Sequence, residues 1–169
     1  MRKVFLFFIV MQTLCALTPM EHVDLDRYLG KWHEIALIPN WFQKKCTGAA
    51  TAEYSLINEE MIRVVNQCPT KKGISTAKGV AWLPDKNSPA KLKVSFAPLA
   101  RYFRWFSGNY WILYVDPDYS VAMVGEPSYT YLWFLARTPA ISEEQYEKLI
   151  EIAKNQGYDT SKLIRPSKT

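Results

Sequence analysis

The sequence predicts an all-β domain, either a sandwich or an up-and-down barrel of antiparallel strands, followed by one helix. Three observations carry this reading. Between residues 28 and 138 the chain repeats short runs rich in Val, Ile, Tyr, Trp and Phe, each broken by turn residues. No helix-like segment intervenes, as parallel strands would require. A segment with a single apolar stripe follows the last run. At 169 residues the chain suits one domain with one core. Its 49% hydrophobic content and lack of low-complexity tracts argue against disorder.

Taken in order, the N-terminus comes first. Met1-Arg2-Lys3 and the apolar run Val4 to Met11 read as a signal peptide, too short to span a bilayer, with cleavage near residue 16. Arg2 and Lys3 supply two of the +5 formal charges, so the mature domain is only mildly basic and carries no nucleic-acid signature. Cys15 is either discarded with the signal or acylated as in a bacterial lipoprotein, although Gln12-Thr13-Leu14 is a poor match to small residues before such a cysteine. Cys46 and Cys68 then remain, and two thiols in an exported chain suggest a disulfide, with a free reactive thiol as the alternative.

Eight strands are expected, at 28–38, 49–57, 61–67, 75–83, 90–97, 109–116, 119–125 and 130–138. The fifth is the clearest: in KLKVSF, Leu92, Val94 and Phe96 face one way and Lys91, Lys93 and Ser95 the other. A helix is expected over 142–156. Ser142 caps it, Gln145 completes a capping box, and Ile141 and Tyr146 stand where a hydrophobic staple would place them. Tyr146, Leu149, Ile150 and Ala153 form its apolar stripe, and Gly157 ends it. With a mixed-charge polar face, this helix belongs on the outside of the β structure.

Three motifs narrow the choice of architecture. YLGKWHEIA holds Gly30-Lys31-Trp32, YVDPDY holds a turn from Asp116 to Tyr119, and YLWFLARTP ends the last strand with Arg137. In this order they resemble the G-x-W, T-D-Y and arginine motifs of the lipocalins, with Val115 in place of the threonine. The resemblance is to the bacterial lipocalin and apolipoprotein D branch, and covers about residues 24–165. It implies an eight-stranded up-and-down barrel, the lipocalin calyx, with Gly30, Trp32 and Arg137 closing one end. An indole there excludes water, and Arg137 on its face adds about 0.5–2 kcal/mol.

In such a barrel, loops alternate between the two ends. Lys44, Lys45, Lys71, Lys72, Arg101 and Arg104 fall at the mouth, whereas the base is acidic. The segment ARYFRWFSG lies at the rim. Trp41, Phe42, Arg101, Phe103, Arg104, Trp105 and Phe106 together suit docking on an anionic membrane surface, capping of the cavity, or contact in a homodimer. Parity from Trp32 points Glu34, Ala36 and Ile38 inward. The expected cavity lining is Tyr54, Val64, Asn66, Phe96, Tyr110, Tyr114 and Trp133, with Gly79 and Ala81 leaving space.

An apolar, aromatic lining with scattered hydroxyls suits an acyl chain. The resemblance implies a fatty acid or lysophospholipid carried or stored in the bacterial envelope, at the periplasmic face of the outer membrane. A tethering protein without cargo is the alternative from another class. No catalytic residue, cofactor or metal is expected: the two histidines are His22 and His33, and His33 points outward. One enzymatic route survives through the resemblance, since a few lipocalins are isomerases with an interior cysteine, and Cys68 has inward parity.

Overall fold

A computed structural model describes residues 17–98 and 106–167. The expected signal segment with Cys15, and Arg101, Phe103, Arg104 and Trp105 of the rim, lie outside the described residues.

Eight strands form a closed barrel in sequence order: β1 Gly30–Leu37, β2 Thr51–Asn58, β3 Met61–Thr70, β4 Gly73–Trp82, β5 Lys91–Ser95, β6 Gly108–Val115, β7 Val121–Gly125 and β8 Leu132–Ala136. All neighbours are antiparallel, and β8 pairs back onto β1. Closure removes the free edges that an open sheet would expose.

The first strand starts later than the sequence suggests. Leu25–Tyr28 instead form one helical turn, α1, capped by the Asp24 carboxylate on the Arg27 N–H. Gly30, at φ +92°, makes the bend from that turn into β1. The third and fourth strands run further than expected, because Lys71-Lys72 form a two-residue turn with Gly73 at φ +108°.

Helix α2, Glu143–Asn155, has the expected cap: Gln145 N–H donates to Ser142 Oγ, and Ser142 N–H donates to Gln145 Oε1. Its buried Leu149 and Ala153 lie on the outer wall among Ala36, Leu113, Met123 and Phe134. The molecule therefore has two apolar layers, one inside the barrel and one between wall and helix.

Two β-bulges decide which residues belong to which layer. The register of β1 on β8 shifts between Glu34 and Ala36, and that of β6 on β7 between Ile112 and Tyr114. One extra residue reverses the inward–outward alternation beyond it. Ala36 and Ile38, expected inside, accordingly pack under α2. Tyr114, expected in the cavity lining, lies on the outer wall as well, with Lys148 Nζ 5.4 Å from its ring centroid.

Candidate ligand-binding site

The base of the barrel is sealed by Trp32, which is fully buried and donates its indole N–H to the Tyr28 carbonyl at 2.8 Å. The Arg137 guanidinium lies 3.8 Å from the Trp32 ring centroid and donates to the carbonyls of Lys31, Arg27 and Tyr119. A Cβ on Gly30 would stand 3.3 Å from Arg137 Nη1, so the glycine gives the guanidinium its room. The turn beside it is built by Asp116, whose carboxylate accepts from the N–H groups of Ser120 and Val121.

Above the indole lies a layer of three tyrosines. The hydroxyls of Tyr28 and Tyr110 are 2.8 Å apart, and those of Tyr54 and Tyr110 are 2.7 Å apart. Burial raises all three pKa values: Tyr28 and Tyr110 go well above the usual phenol range, and Tyr54 is pushed up to about 12 against the opposing bond from Tyr110. They remain neutral hydrogen-bonding groups at any physiological pH. Tyr28 belongs to the α1 turn, where a strand is expected from the sequence, so its place in this layer was not legible.

Going upward, the inner face opens. On β3 and β4 the inward pairs Ile62–Ala81 and Val64–Gly79 are followed by Asn66–Ala77. Ile62, Val64 and Ala81 are buried, Asn66 is half-buried and Ala77 is exposed. Phe96 lies directly over Gly79, where an added Cβ would come within 2.7 Å of its ring, and is itself 43% exposed. Trp133 is half-buried opposite. Tyr54, Val64, Asn66, Phe96, Tyr110 and Trp133 thus share the inner face, and Tyr114 does not join them.

A polar cluster ties the first loop to this wall. Glu34 is 6% exposed and accepts from Gln43 Nε2 at 2.7 Å. Gln43 Oε1 in turn accepts from Trp133 Nε1 at 3.0 Å and from Asn40 Nδ2 at 2.7 Å. Burial lifts the Glu34 carboxyl above its usual range, opposed by the bonds from Gln43 and the Ala50 N–H. Gln43 escaped notice in the sequence because a lone glutamine in a loop gives no pattern.

The rim residues divide. Phe42 leans on Tyr131 and Trp133, with centroids 5.5 and 6.2 Å away, so it lines the opening. Trp41 and Phe106 extend outward, 72% and 81% exposed, and Ile74 on the β3–β4 hairpin does so at 68%. Lys44, Lys45, Lys71 and Lys72 are exposed around them. The carboxylate of Glu126, in the loop between β7 and β8, accepts the N–H groups of Ser128, Thr130 and Tyr131 within its own turn.

Cys46 and Cys68 form a disulfide with Cα atoms 5.6 Å apart. Cys68 faces Ser75 on β4 and is buried, so an interior thiol at this position, needed for the isomerase route, is not available. Among the described residues no group of three His, Cys, Asp or Glu side chains is placed to hold a metal ion.

A plugged base, an inner face that grows more exposed toward the mouth and an arginine on the G-x-W indole fit the geometry that the resemblance implied. Residues 23–168 match the Lipocalin-like domain. The chain belongs to the lipocalin family. It is 41% identical to Temperature-induced lipocalin-1 of Arabidopsis thaliana over 146 residues, covering 85% of this chain and 78% of the relative. It is 36% identical to Outer membrane lipoprotein Blc of Citrobacter freundii, covering 87% and 80%. With Apolipoprotein D of Mus musculus it shares 31%, covering 85% and 76%. Among solved structures, insecticyanin from the tobacco hornworm Manduca sexta superposes with a TM-score of 0.71 at 22% identity, covering 90% of this chain and 85% of that one, which shows the common fold. Lipocalins bind small hydrophobic ligands, and this chain shares their barrel.

Proposed function

We propose that this lipocalin carries or stores one single-chain amphiphile, a fatty acid or lysophospholipid, with its tail inside the barrel. The supporting observation is the change in burial along β3 and β4, from buried Val64 to exposed Ala77 on one inner face. That hollow ends on the tyrosine layer and opens toward four exposed lysines. Each buried methylene contributes ~0.8 kcal/mol, so a chain of about 16 carbons gains roughly 12 kcal/mol before ordering costs. Micromolar or tighter affinity follows. The lysines favour an anionic head at the rim.

The same rim is a membrane-docking surface in this reading. Trp41, Ile74 and Phe106 project from three mouth loops beside the lysines, the arrangement that enters a headgroup layer. Attachment would come from the same side. Thr18 and Gln156 exchange two hydrogen bonds of 2.8 Å at the end of α2 that adjoins the Glu126 turn of the mouth. An acylated Cys15, three residues upstream, would reach no more than about 10 Å from that point. The relatives named as outer membrane lipoproteins support an envelope location.

Sedimentation with anionic vesicles tests the docking. Trp41→Ser combined with Phe106→Ser is expected to abolish binding that wild-type protein shows at low salt. Equal sedimentation of both proteins would sink this part of the reading and leave the cavity reading standing.

A further inference from the structure

Strands β1 and β2 pair from Gly30–Tyr54 to His33–Thr51, and the Glu34 N–H still donates to the Ala50 carbonyl at 2.9 Å. Above that point they separate, for two reasons visible in the chain. β1 bulges after Glu34 and follows β8. The chain entering β2 is drawn toward β3 instead, by the Cys46–Cys68 disulfide and by the Thr47 N–H on the Pro69 carbonyl at 2.8 Å. A gap in the barrel wall results.

The C-terminal segment covers that gap. Leu37 and Ile164 exchange two backbone hydrogen bonds of 3.0 Å, filling the place that β2 has left. On the other side Ala49 N–H donates to the Ser167 carbonyl, and Ser167 Oγ donates to the Thr47 carbonyl at 3.0 Å. Arg165 anchors the segment to α2, with a two-pronged contact to Glu143 at 2.8 and 2.7 Å and its guanidinium 3.4 Å from the Tyr146 ring centroid. Beneath the segment lies a recess of about 260 Å³. Glu34, Leu37 and Gln43 line it from the barrel side, and Ile164, Pro166 and Ser167 from outside.

We infer that this recess is a side passage into the barrel between β1 and β2, gated by residues 164–167 acting as a strap. The recess opens to solvent beside the strap and has room for several water molecules against the wall. The strap is held mainly by few backbone bonds and one exposed ion pair, contacts of the kind that open locally before the fold does. The route leads past Glu34 to the inner face at Ala52, which pairs with Trp32 on one side and Asn66 on the other. The passage itself is a property of the wall; its use by an acyl chain rests on the carrier reading above.

Thiol labelling tests it without any ligand. Cysteine is introduced at Ala52, on the inner face below the passage, or at Ala77, near the mouth, with the native disulfide kept oxidised. Shortening the chain after Leu163 is expected to raise the maleimide labelling rate of Ala52→Cys at least tenfold and to leave that of Ala77→Cys within twofold. Arg165→Ala, which keeps the Leu37–Ile164 bridge, should raise the first rate about threefold and serves if the shortened chain does not fold. An unchanged Ala52→Cys rate in the folded strap variants, or equal acceleration at both sites, overturns the passage. In a parallel arm, a dansyl-labelled undecanoic acid should associate and dissociate faster in the strap variants with the same Kd. Failure of the wild type to bind this probe would count against the carrier reading alone, since the labelling arm still decides the passage.

Discussion

Arg137 and Trp32 form one structural unit: the guanidinium sits 3.8 Å from the indole centroid while its N–H groups reach carbonyls of Arg27, Lys31 and Tyr119. The contact thus joins α1, β1, the β6–β7 turn and the end of β8 at the base of the barrel. Burial lowers the Arg137 pKa somewhat, yet the group stays charged.

Replacing Arg137 tests that unit. Arg137→Ala should destabilise the fold by about 3 kcal/mol in urea denaturation, from lost cation–π attraction and charge-assisted bonds. Arg137→Lys should recover less than half, because a point charge cannot serve three carbonyls and a ring face at once.

Gly30→Ala is expected to cost about 1–3 kcal/mol, since φ is +92° and the new Cβ approaches Arg137 Nη1. Thermal unfolding would show the loss. A neutral result would mean the α1–β1 bend relaxes freely.

Tyr110→Phe removes both hydroxyl contacts of the tyrosine layer. A loss of about 1–3 kcal/mol is expected, because Tyr28 and Tyr54 are left with buried, unpaired hydroxyls. Ultraviolet titration of the folded wild type should show Tyr54 ionising at about 12.

Glu34 provides a pH signature. Its folded pKa is raised, so the folded state holds the proton more tightly than the unfolded chain. The stability of wild type relative to Glu34→Gln should be highest below the ordinary glutamate value of about 4.3 and fall as pH rises through the folded pKa. Urea unfolding of both proteins between pH 4 and 7 measures the difference. A gap independent of pH would contradict the assignment.

Much of the fold was legible because the signals were local. The alternation in KLKVSF, the Ser142–Gln145 capping box and the three family motifs fall where the structure uses them. The cysteine pair was legible too, although Cys46 lies outside the β2–β3 ladder and reaches Cys68 from the loop that follows the Trp41–Gln43 turn. The bulges were not legible. Leu113, Tyr114 and Val115 are all apolar, so an extra residue among them leaves no break in the pattern, and Tyr114 was assigned to the wrong face. Ile35 conceals the shift in β1 in the same way. The strap was invisible because Ile164 and Arg165 resemble an ordinary tail until Leu37 and Glu143 are seen beside them.

The measurement closest to the heart of this account is a titration of delipidated protein with a 16-carbon fatty acid against the dansyl probe. It predicts saturation at one ligand per chain with micromolar or tighter Kd, and at least tenfold weaker binding for Ala77→Trp, which fills the upper hollow while the tyrosine layer stays intact. No saturable binding by the wild type, or equal affinity in the filled variant, would contradict a cargo held inside the barrel.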